Sequence, residues 1–321
     1  MRRWEAGRVA LLLGATALLA ACGGGRDAGE TANAADTTRA ADSGPMATVA
    51  LTVDGFQTPE SARFDPELGV WFVANINGLP LAKDGNGFIS RLTREGEVDS
   101  LRFIAGGRGG AKLDAPKGLA IQGDTLWVAD IDVARAFDKR TGKPVATVSM
   151  AGRASFLNDV AVGPDGAIYL TDTGLKNDGK GGIGDPTTNR VFRILGRKAS
   201  VALDFKDRPG VNGIVWDSAG ARFMLVPFGD TSIYSWMPGD SAPAVVAHAP
   251  SMMDGIEPLG DGRFAVTSWA DSSLFALQDD KITRLAGGLP GAADIGYDRE
   301  RNRIAVPLFT ENKLTFVDLR P

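Results

Sequence analysis

Oxygen-bearing side chains recur at the start of short apolar segments spread along the chain. The residues at these starts are Glu60, Lys117, Asn158, Asn212, Asp254 and Ala293, and two further carboxylates, Asp159 and Asp294, follow one position later. Carboxylates and amides with no His or Cys among them form a hard oxygen ligand set, which suits calcium or magnesium better than zinc. If the segments converge, the sequence predicts a divalent-cation site.

The elements that carry these residues form a repeat. Each start is followed by an alternating strand, a turn and further apolar strands, and the starts are separated by 57, 41, 54, 42 and 39 residues. Turn signals such as Gly260-Asp261-Gly262 lie between the first two strands. A period of about 40 to 50 residues is typical of four-stranded propeller blades. The spacing predicts an all-β, six-bladed β-propeller whose first strands line the channel and bring the six starts to one mouth.

The strand inventory predicts how the propeller closes. Five repeats have a fourth strand, near residues 101–104, 145–149, 201–205, 245–249 and 282–286, whereas the sixth repeat has three. Residues 48–53 form a spare strand before the first repeat. We expect this N-terminal strand to complete the sixth blade and remove an open sheet edge. A β-sandwich with irregular repeats does not explain why a spare strand precedes the first repeat while the sixth repeat lacks its fourth strand.

The N-terminal region predicts export and lipidation. Residues 1–21 combine Arg2 and Arg3 with a short apolar run that ends in Leu19-Ala20-Ala21 before Cys22, as in a lipoprotein signal peptide. Cys22 is the single cysteine of the chain, so we expect it to carry lipid; a plain secreted protein or a buried thiol is the less favoured alternative. Residues 22–45 have the composition of a disordered tether and residues 46–321 that of one propeller domain. These features predict a lipoprotein on the periplasmic side of the cell envelope, in contact with the membrane through its lipid anchor alone.

Several other function classes are disfavoured. A net charge of -4 without a basic patch argues against nucleic acid as a partner. Residues 174–181 nearly form a phosphate-binding loop but end in Gly181 where Ser or Thr is required, so we expect no nucleotide. Residues 84–87 match only part of a calcium-binding EF-hand loop. The single histidine, His248, falls in a predicted outer strand, which argues against a serine triad or a histidine-based lactonase.

The four motifs around the oxygen ligands resemble those of the senescence marker protein/gluconolactonase family. The motifs are Pro59-Glu60, Leu157-Asn158-Asp159, Val211-Asn212-Gly213 and Met253-Asp254-Gly255, in the same blades and order. The resemblance implies a calcium site formed by Glu60, Asn158, Asn212 and Asp254, with Mg²⁺, Mn²⁺ or Zn²⁺ as alternative metals. It also implies hydrolysis of a small-molecule lactone or ester, with Asp254 as general acid/base and Asn158 in contact with the substrate.

Two departures from that family leave the substrate open. Phe156 stands where sugar lactonases commonly have an arginine, and Lys117 brings a cation into the ring. Lys117 either forms a salt bridge to Asp254, Asp159 or Asp294, or anchors an anionic substrate. We expect two insertions, residues 78–87 and 174–189, to overhang the mouth as lids or as mobile surface loops. The alternative function is a non-catalytic envelope propeller that binds a ligand or a protein.

Overall fold

The computed structural model describes residues 46–177, 183–184, 188–205, 208 and 210–320. The signal peptide, Cys22 and the tether lie outside the described residues, so their assignments stay predictions. Within the described ranges the chain is all-β, and none of it forms a helix long and apolar enough to cross a membrane.

The strands form six four-stranded antiparallel sheets, which are the predicted blades. Blade 1 comprises β2 Pro59–Asp65, β3 Val70–Asn75, β4 Phe88–Thr93 and β5 Val98–Ala105. Blade 2 comprises β6 Pro116–Gln122, β7 Thr125–Asp130, β8 Val133–Asp138 and β9 Pro144–Ser149. Blade 3 comprises β10 Leu157–Val162, β11 Ile168–Asp172, β14 Arg190–Leu195 and β15 Lys198–Asp204. The pair β12 Lys176–Asn177 and β13 Ile183–Gly184 is a small separate ribbon.

Blades 4 and 5 follow the same order, and blade 6 takes its fourth strand from the N-terminal side. Blade 4 comprises β16 Val211–Asp217, β17 Arg222–Pro227, β18 Ser232–Trp236 and β19 Ala244–His248. Blade 5 comprises β20 Met253–Gly260, β21 Arg263–Ser268, β22 Ser273–Gln278 and β23 Lys281–Gly287. Blade 6 comprises β24 Gly296–Asp298, β25 Arg303–Leu308 and β26 Lys313–Leu319, together with β1 Ala47–Asp54. β1 pairs antiparallel with β26, from Ala47 opposite Leu319 to Asp54 opposite Lys313. The predicted closure by the N-terminal strand is therefore confirmed.

The core lies between the faces of neighbouring blades. First and second strands are buried along nearly their whole length, whereas fourth strands such as β5 and β19 expose most of their residues. Trp71 of blade 1 packs against Phe316 of blade 6 with ring centroids 5.4 Å apart, which seals the junction of the two ends of the ring. Burial of such aromatic side chains between blades fixes the blades around the channel. His248 is exposed at the end of β19, away from the channel, as expected.

Glycines let the channel-lining strands approach one another closely. A Cβ atom on Gly118 would lie 2.5 Å from the Cα of Asp159, and one on Gly213 would lie 2.3 Å from the carbonyl oxygen of Asp254. Gly255 would collide in the same way with the backbone of Asp294 and Ile295. Because no real Cβ fits at such distances, these three positions need glycine for the inner strands to pack.

Candidate metal and active site

The predicted starting residues lie at one level of the channel. In each of the first five blades, the residue just before the start pairs with the last residue of the second strand, as Pro59 does with Asn75 and Met253 with Ser268. All five polar starting residues are buried: Glu60 is 5%, Lys117 0%, Asn158 6%, Asn212 3% and Asp254 4% exposed. The structure thus brings the predicted site residues to the same end of the channel.

Each of the five polar starting residues lies in a β-bulge, a feature that sequence reasoning missed. Between Pro59 and Ser61 the first strand of blade 1 advances two residues while its partner strand advances one. The register shifts at the equivalent place in blades 2 to 5 as well. A bulge leaves one residue outside the regular pairing and re-aims its side chain, which explains why polar residues at these starts can turn toward the channel.

Threonines in the second strands satisfy the backbone groups that the bulges free. Thr171 Oγ1 accepts the N–H of Asp159 at 2.9 Å and donates to the carbonyl of Asn212, in the next blade, at 2.6 Å. Thr267 Oγ1 does the same between the N–H of Gly255 and the carbonyl of Ala293, at 2.8 and 3.0 Å. Because each hydroxyl joins one bulge to the next, the starting residues of neighbouring blades are held in a fixed relation.

The backbone is strained just ahead of the two starting carboxylates. Thr58 and Met252, two residues before Glu60 and Asp254, have φ of +50° and +57°. Their carbonyls accept the N–H groups of Ile76 and Trp269, at 3.1 and 3.0 Å, which hold the left-handed turns in place. Non-glycine residues in this region are uncommon and concentrate at functional sites.

Glu60 and Asp254 come from blades 1 and 5 and interact across the channel. Burial raises the pKa of Glu60 well above its usual value, and the charge of Asp254 raises it further, against the opposing effect of Lys117. Burial and the charge of Asp294 likewise raise the pKa of Asp254, and hydrogen bonding from the Trp269 and Asn212 side chains only partly offsets this rise. The individual atoms Glu60 Oε2 and Asp254 Oδ1 are buried and accept no hydrogen bond of good geometry from the described residues.

The two amides leave oxygen atoms for a ligand. Asn158 Nδ2 donates to Thr173 Oγ1 at 3.0 Å, and that hydroxyl donates to the Val211 carbonyl at 2.7 Å. Asn212 Nδ2 points toward the Met253 carbonyl at 3.4 Å. Since both nitrogens have acceptors, each side chain retains a carbonyl oxygen that accepts no hydrogen bond from the described residues.

Asp159 and Asp294, each one position after a starting residue, stabilise the fold through contacts with neighbouring inner strands. Asp159 accepts the N–H groups of Val160 and Ile214, at 2.6 and 2.8 Å. Asp294 accepts a 2.5 Å hydrogen bond from Ser61 and lies 3.5 Å from an Arg63 nitrogen. Burial raises the pKa of both carboxyls, although Arg63 opposes the shift in each case. These two residues therefore tie neighbouring inner strands together, although Asp294 Oδ1, like Glu60 Oε2 and Asp254 Oδ1, accepts no hydrogen bond of good geometry from the described residues.

The channel holds more buried negative charge than positive charge, and this imbalance favours a bound cation. Near the starting residues, the inner strands carry five buried carboxylates and two cationic side chains, the carboxylates being Glu60, Asp159, Asp254, Glu257 and Asp294 and the cations Arg63 and Lys117. Buried charge without compensation is costly, so either protons or a cation must neutralise it. The unpartnered oxygens of Glu60 and Asp254, together with the two free amide oxygens, form a donor set that suits a hard divalent cation. In the described part of the chain no three His, Cys, Asp or Glu side chains form a metal-binding group, so binding here depends on the amides.

Lys117 is held by backbone carbonyls and an aromatic ring and not by the carboxylates. Its side chain is fully buried, and Nζ donates to the carbonyls of Pro80 and Ala115, each at 3.1 Å, while it stands 4.4 Å from the centre of the Phe156 ring. Within the described residues it forms no ion pair, so the expected salt bridge to Asp254, Asp159 or Asp294 is wrong. The physical reason is that two backbone carbonyls and an aromatic face already surround the ammonium group. Burial lowers its pKa, with Glu60 and Asp130 opposing.

The first insertion covers part of this mouth. The Pro80 carbonyl, in residues 78–87, reaches Lys117. Leu81 packs against the buried cluster of Ile76, Ala115 and Ile131, as Phe309 also does. Lys83 pairs with Asp132 of blade 2 at 2.7 Å, which holds the insertion down. Of the second insertion, residues 178–182 and 185–187 lie outside the described residues.

A cavity of about 560 Å³ opens at the opposite mouth of the channel. It is lined by the far ends of the first strands, including Asp65, Ile121, Val162 and Trp216. The charged groups there are paired: Lys139 lies 2.8 Å from Asp65 and 2.7 Å from Glu67. This cavity is therefore separate from the candidate site.

The comparisons with known proteins agree with this architecture. No protein-family profile and no curated protein matches the chain. The solved structures similar to it include a structural-genomics target assigned as a gluconolactonase, with a TM-score of 0.65 at 14% identity over 87% of this chain and 93% of that one. They also include a gluconolactonase from Xanthomonas campestris described as important in glucose secondary metabolic pathways, with a TM-score of 0.61 at 15% identity over 83% and 88%. The chain thus has the six-bladed propeller fold of the gluconolactonases, and the resemblance predicted from four short motifs is confirmed at the level of the fold.

Proposed function

We propose that this protein is a divalent-metal-dependent hydrolase, using calcium, that opens a lactone or cleaves an ester. The observation that carries the proposal is the pair of buried, unpartnered carboxylate oxygens of Glu60 and Asp254 on separate blades. The gluconolactonases of the same fold support the reaction class. Fold alone does not define chemistry, so the proposal rests on the site.

Four side chains would hold the cation, with Glu60 and Asp254 contributing charge and Asn158 and Asn212 contributing amide oxygens. A bound cation would polarise the substrate carbonyl and stabilise the negative charge that develops on its oxygen. Asn158, fixed by Thr173, would also orient the substrate. Lys117 supplies positive potential at the edge of the ring, but its predicted direct contact with an anionic substrate would require Pro80 to move.

Asp254 would handle the proton in hydrolysis. Its carboxylate would accept a proton from the water whose oxygen adds to the carbonyl carbon. The same proton would pass to the ring or ester oxygen as its bond to that carbon breaks. General acid/base catalysis of this kind contributes about 10² to 10⁴ in rate. Burial raises the pKa of this carboxyl in the metal-free channel, and a bound cation would oppose that rise and favour the carboxylate that accepts the proton.

The test is hydrolysis of lactones and aryl esters by the purified protein, with calcium or with chelator. We expect calcium-dependent turnover that falls by about 10² to 10⁴ in Asp254→Asn. Asp261→Asn, an exposed substitution in the same blade, is the matched control and should keep full activity. If wild type and Asp254→Asn are equally inactive on every substrate while calcium raises thermal stability, the protein is a non-catalytic binding module.

We further propose that the protein acts as a lipoprotein on the periplasmic side of the cell envelope. The proposal rests on the sequence around Cys22. Metabolic labelling with radioactive palmitate should mark the wild-type protein but not Cys22→Ser, which should also leave the membrane fraction. Equal labelling of both would contradict it.

A further inference from the structure

Six residues surround the candidate site one level above the starting residues. Each immediately follows the second strand of its blade, and in five blades its backbone N–H bonds to the carbonyl of the residue two positions before the start, as Trp269 does with Met252 at 3.0 Å. These rim residues are Ile76, Ile131, Thr173, Phe228, Trp269 and Phe309. Five of the six are apolar, above a ring of acidic and amide groups.

Three rim residues form an aromatic arc over blades 4 to 6. The rings of Phe228 and Trp269 are 5.6 Å apart between centroids, and those of Trp269 and Phe309 are 5.1 Å apart. All three are half-buried, while most other aromatic side chains in the described part of the chain are fully buried between blades. Since the packing of the blades hides so many rings, three neighbouring rings with exposed faces at one mouth need a reason beyond stability.

The arc stands directly beside the proposed catalytic carboxylate. The Trp269 indole N–H is directed toward the Asp254 carboxyl, and hydrogen bonding from it lowers the pKa of that group. Trp269 Nε1 is itself buried. Phe309 at the other end of the arc packs in the cluster that contains Leu81 of the first insertion. A ligand whose carbonyl reaches the carboxylates from the side of blades 4 to 6 therefore lays its remaining atoms against the aromatic arc.

We propose that the substrate is a lactone or ester with an apolar alkyl or aryl substituent, and that the arc binds this substituent; the inference rests on the proposed function and names its substrate class. A polyhydroxylated sugar lactone would bury hydroxyl groups against a rim whose one hydroxyl, that of Thr173, is already engaged by Asn158 and the Val211 carbonyl, and each unpaired hydroxyl costs binding free energy. An apolar substituent gains from the same surface through burial and ring contacts.

Two δ-lactones with the same ring test the proposal, glucono-δ-lactone with hydroxyl substituents and δ-decalactone with a pentyl chain. We expect kcat/KM to favour δ-decalactone by at least about 100-fold. Phe309→Ala and Phe228→Ala should each raise KM for δ-decalactone about tenfold, which corresponds to about 1.4 kcal/mol, with kcat within about twofold of wild type. Phe103→Ala, which removes a half-buried ring on the outer side of blade 1, is the matched control and should leave KM unchanged.

A binding measurement separates this inference from the hydrolytic proposal. 3-Pentylcyclohexanone has the ring and chain of δ-decalactone without a cleavable bond, and calorimetry should show it binding wild type more tightly than cyclohexanone and Phe309→Ala about tenfold more weakly. If the ketone binds in a way that depends on the arc but no lactone is turned over, the apolar binding site is supported and the proposed hydrolysis is rejected. Preferred turnover of glucono-δ-lactone, or turnover and binding insensitive to both arc variants, would overturn the inference and leave hydrolysis standing.

Discussion

Arg94 of blade 1 donates two hydrogen bonds, of 2.6 and 2.7 Å, to the Asp298 carboxylate of blade 6 across the junction where the ring of blades closes. Asp298 is fully buried, and its carboxylate also accepts the backbone N–H groups of Glu300 and Arg301. Burial by itself raises the pKa of Asp298, but these hydrogen bonds outweigh it and set the pKa below its usual value. The first and last blades are thus joined by a charge pair in addition to strand β1.

Asp298→Asn should lower the free energy of unfolding at pH 7 by about 2 kcal/mol, since hydrogen bonds to charged groups are worth about 1.5 to 3 kcal/mol. Because the folded-state pKa of Asp298 is depressed, its contribution is present above the unfolded-state pKa near 4 and is lost as the pH falls through the folded-state value. Urea unfolding should therefore show the wild type and the variant converging below about pH 4. Glu95→Gln, which removes an exposed pair with Arg301 between the same blades, should change stability by less than about 1 kcal/mol. A constant difference at every pH would contradict this account.

Glu60→Gln should abolish the response to calcium while making the metal-free protein more stable. The substitution removes one charge from a channel that holds more buried carboxylates than cations, yet it also removes a ligand. Calcium at about 100 times its Kd should raise the wild-type Tm by roughly 5 °C. Differential scanning calorimetry with calcium and with chelator measures both effects. The exposed Asp261→Asn should behave as wild type, and an unaltered calcium shift in Glu60→Gln would exclude Glu60 as a ligand.

Gly213→Ala should weaken both the fold and the metal site. Its Cβ would lie 2.3 Å from the Asp254 carbonyl oxygen and 2.8 Å from Val226 Cγ2, so strand β16 must move away from β20. Overpacking of this kind costs about 1 to 3 kcal/mol. Gly123→Asn, in a turn with open space and a φ of +56° that Asn tolerates, is the control. Calcium titration should show a weaker Kd for Gly213→Ala alone, and an unchanged Kd would mean that this strand spacing does not set the site.

Thr267→Val should cost about 2 to 3 kcal/mol although the side-chain volume is nearly unchanged. The hydroxyl joins the Gly255 N–H to the Ala293 carbonyl, and its loss leaves both buried groups unpaired. Thr283→Val on the exposed outer strand of the same blade should be near neutral. Chemical denaturation provides the comparison, and equal effects of the two substitutions would show that the bridge contributes little.

The fold was predictable because each blade repeats the same local pattern. The alternation of apolar residues located the strands, and the spare strand at residues 48–53 against the incomplete sixth blade identified the closure that β1 and β26 make. The level of Glu60, Asn158, Asn212 and Asp254 in the channel followed from that repeat alone.

The details of the site were less predictable because they depend on contacts between blades. The bulges at the starting residues had a signal in the glycines at positions 118, 213 and 255, but only the packed strands show why glycine is needed. Lys117 could not be assigned from sequence, since its partners include the Pro80 carbonyl of an insertion whose path the repeat does not fix. Phe228, Trp269 and Phe309 each resemble ordinary blade packing in sequence, and their arc exists only when three blades stand side by side.

The most direct test of the proposed metal centre is the position of a cation in crystals grown with manganese, whose anomalous scattering locates it unambiguously. Our account predicts one ion at the rim end of the channel, bound by oxygen atoms of Glu60 and Asp254 together with the Asn158 and Asn212 amides. An ion elsewhere, or carboxylates of Glu60 and Asp254 too distant to share it, would contradict the account.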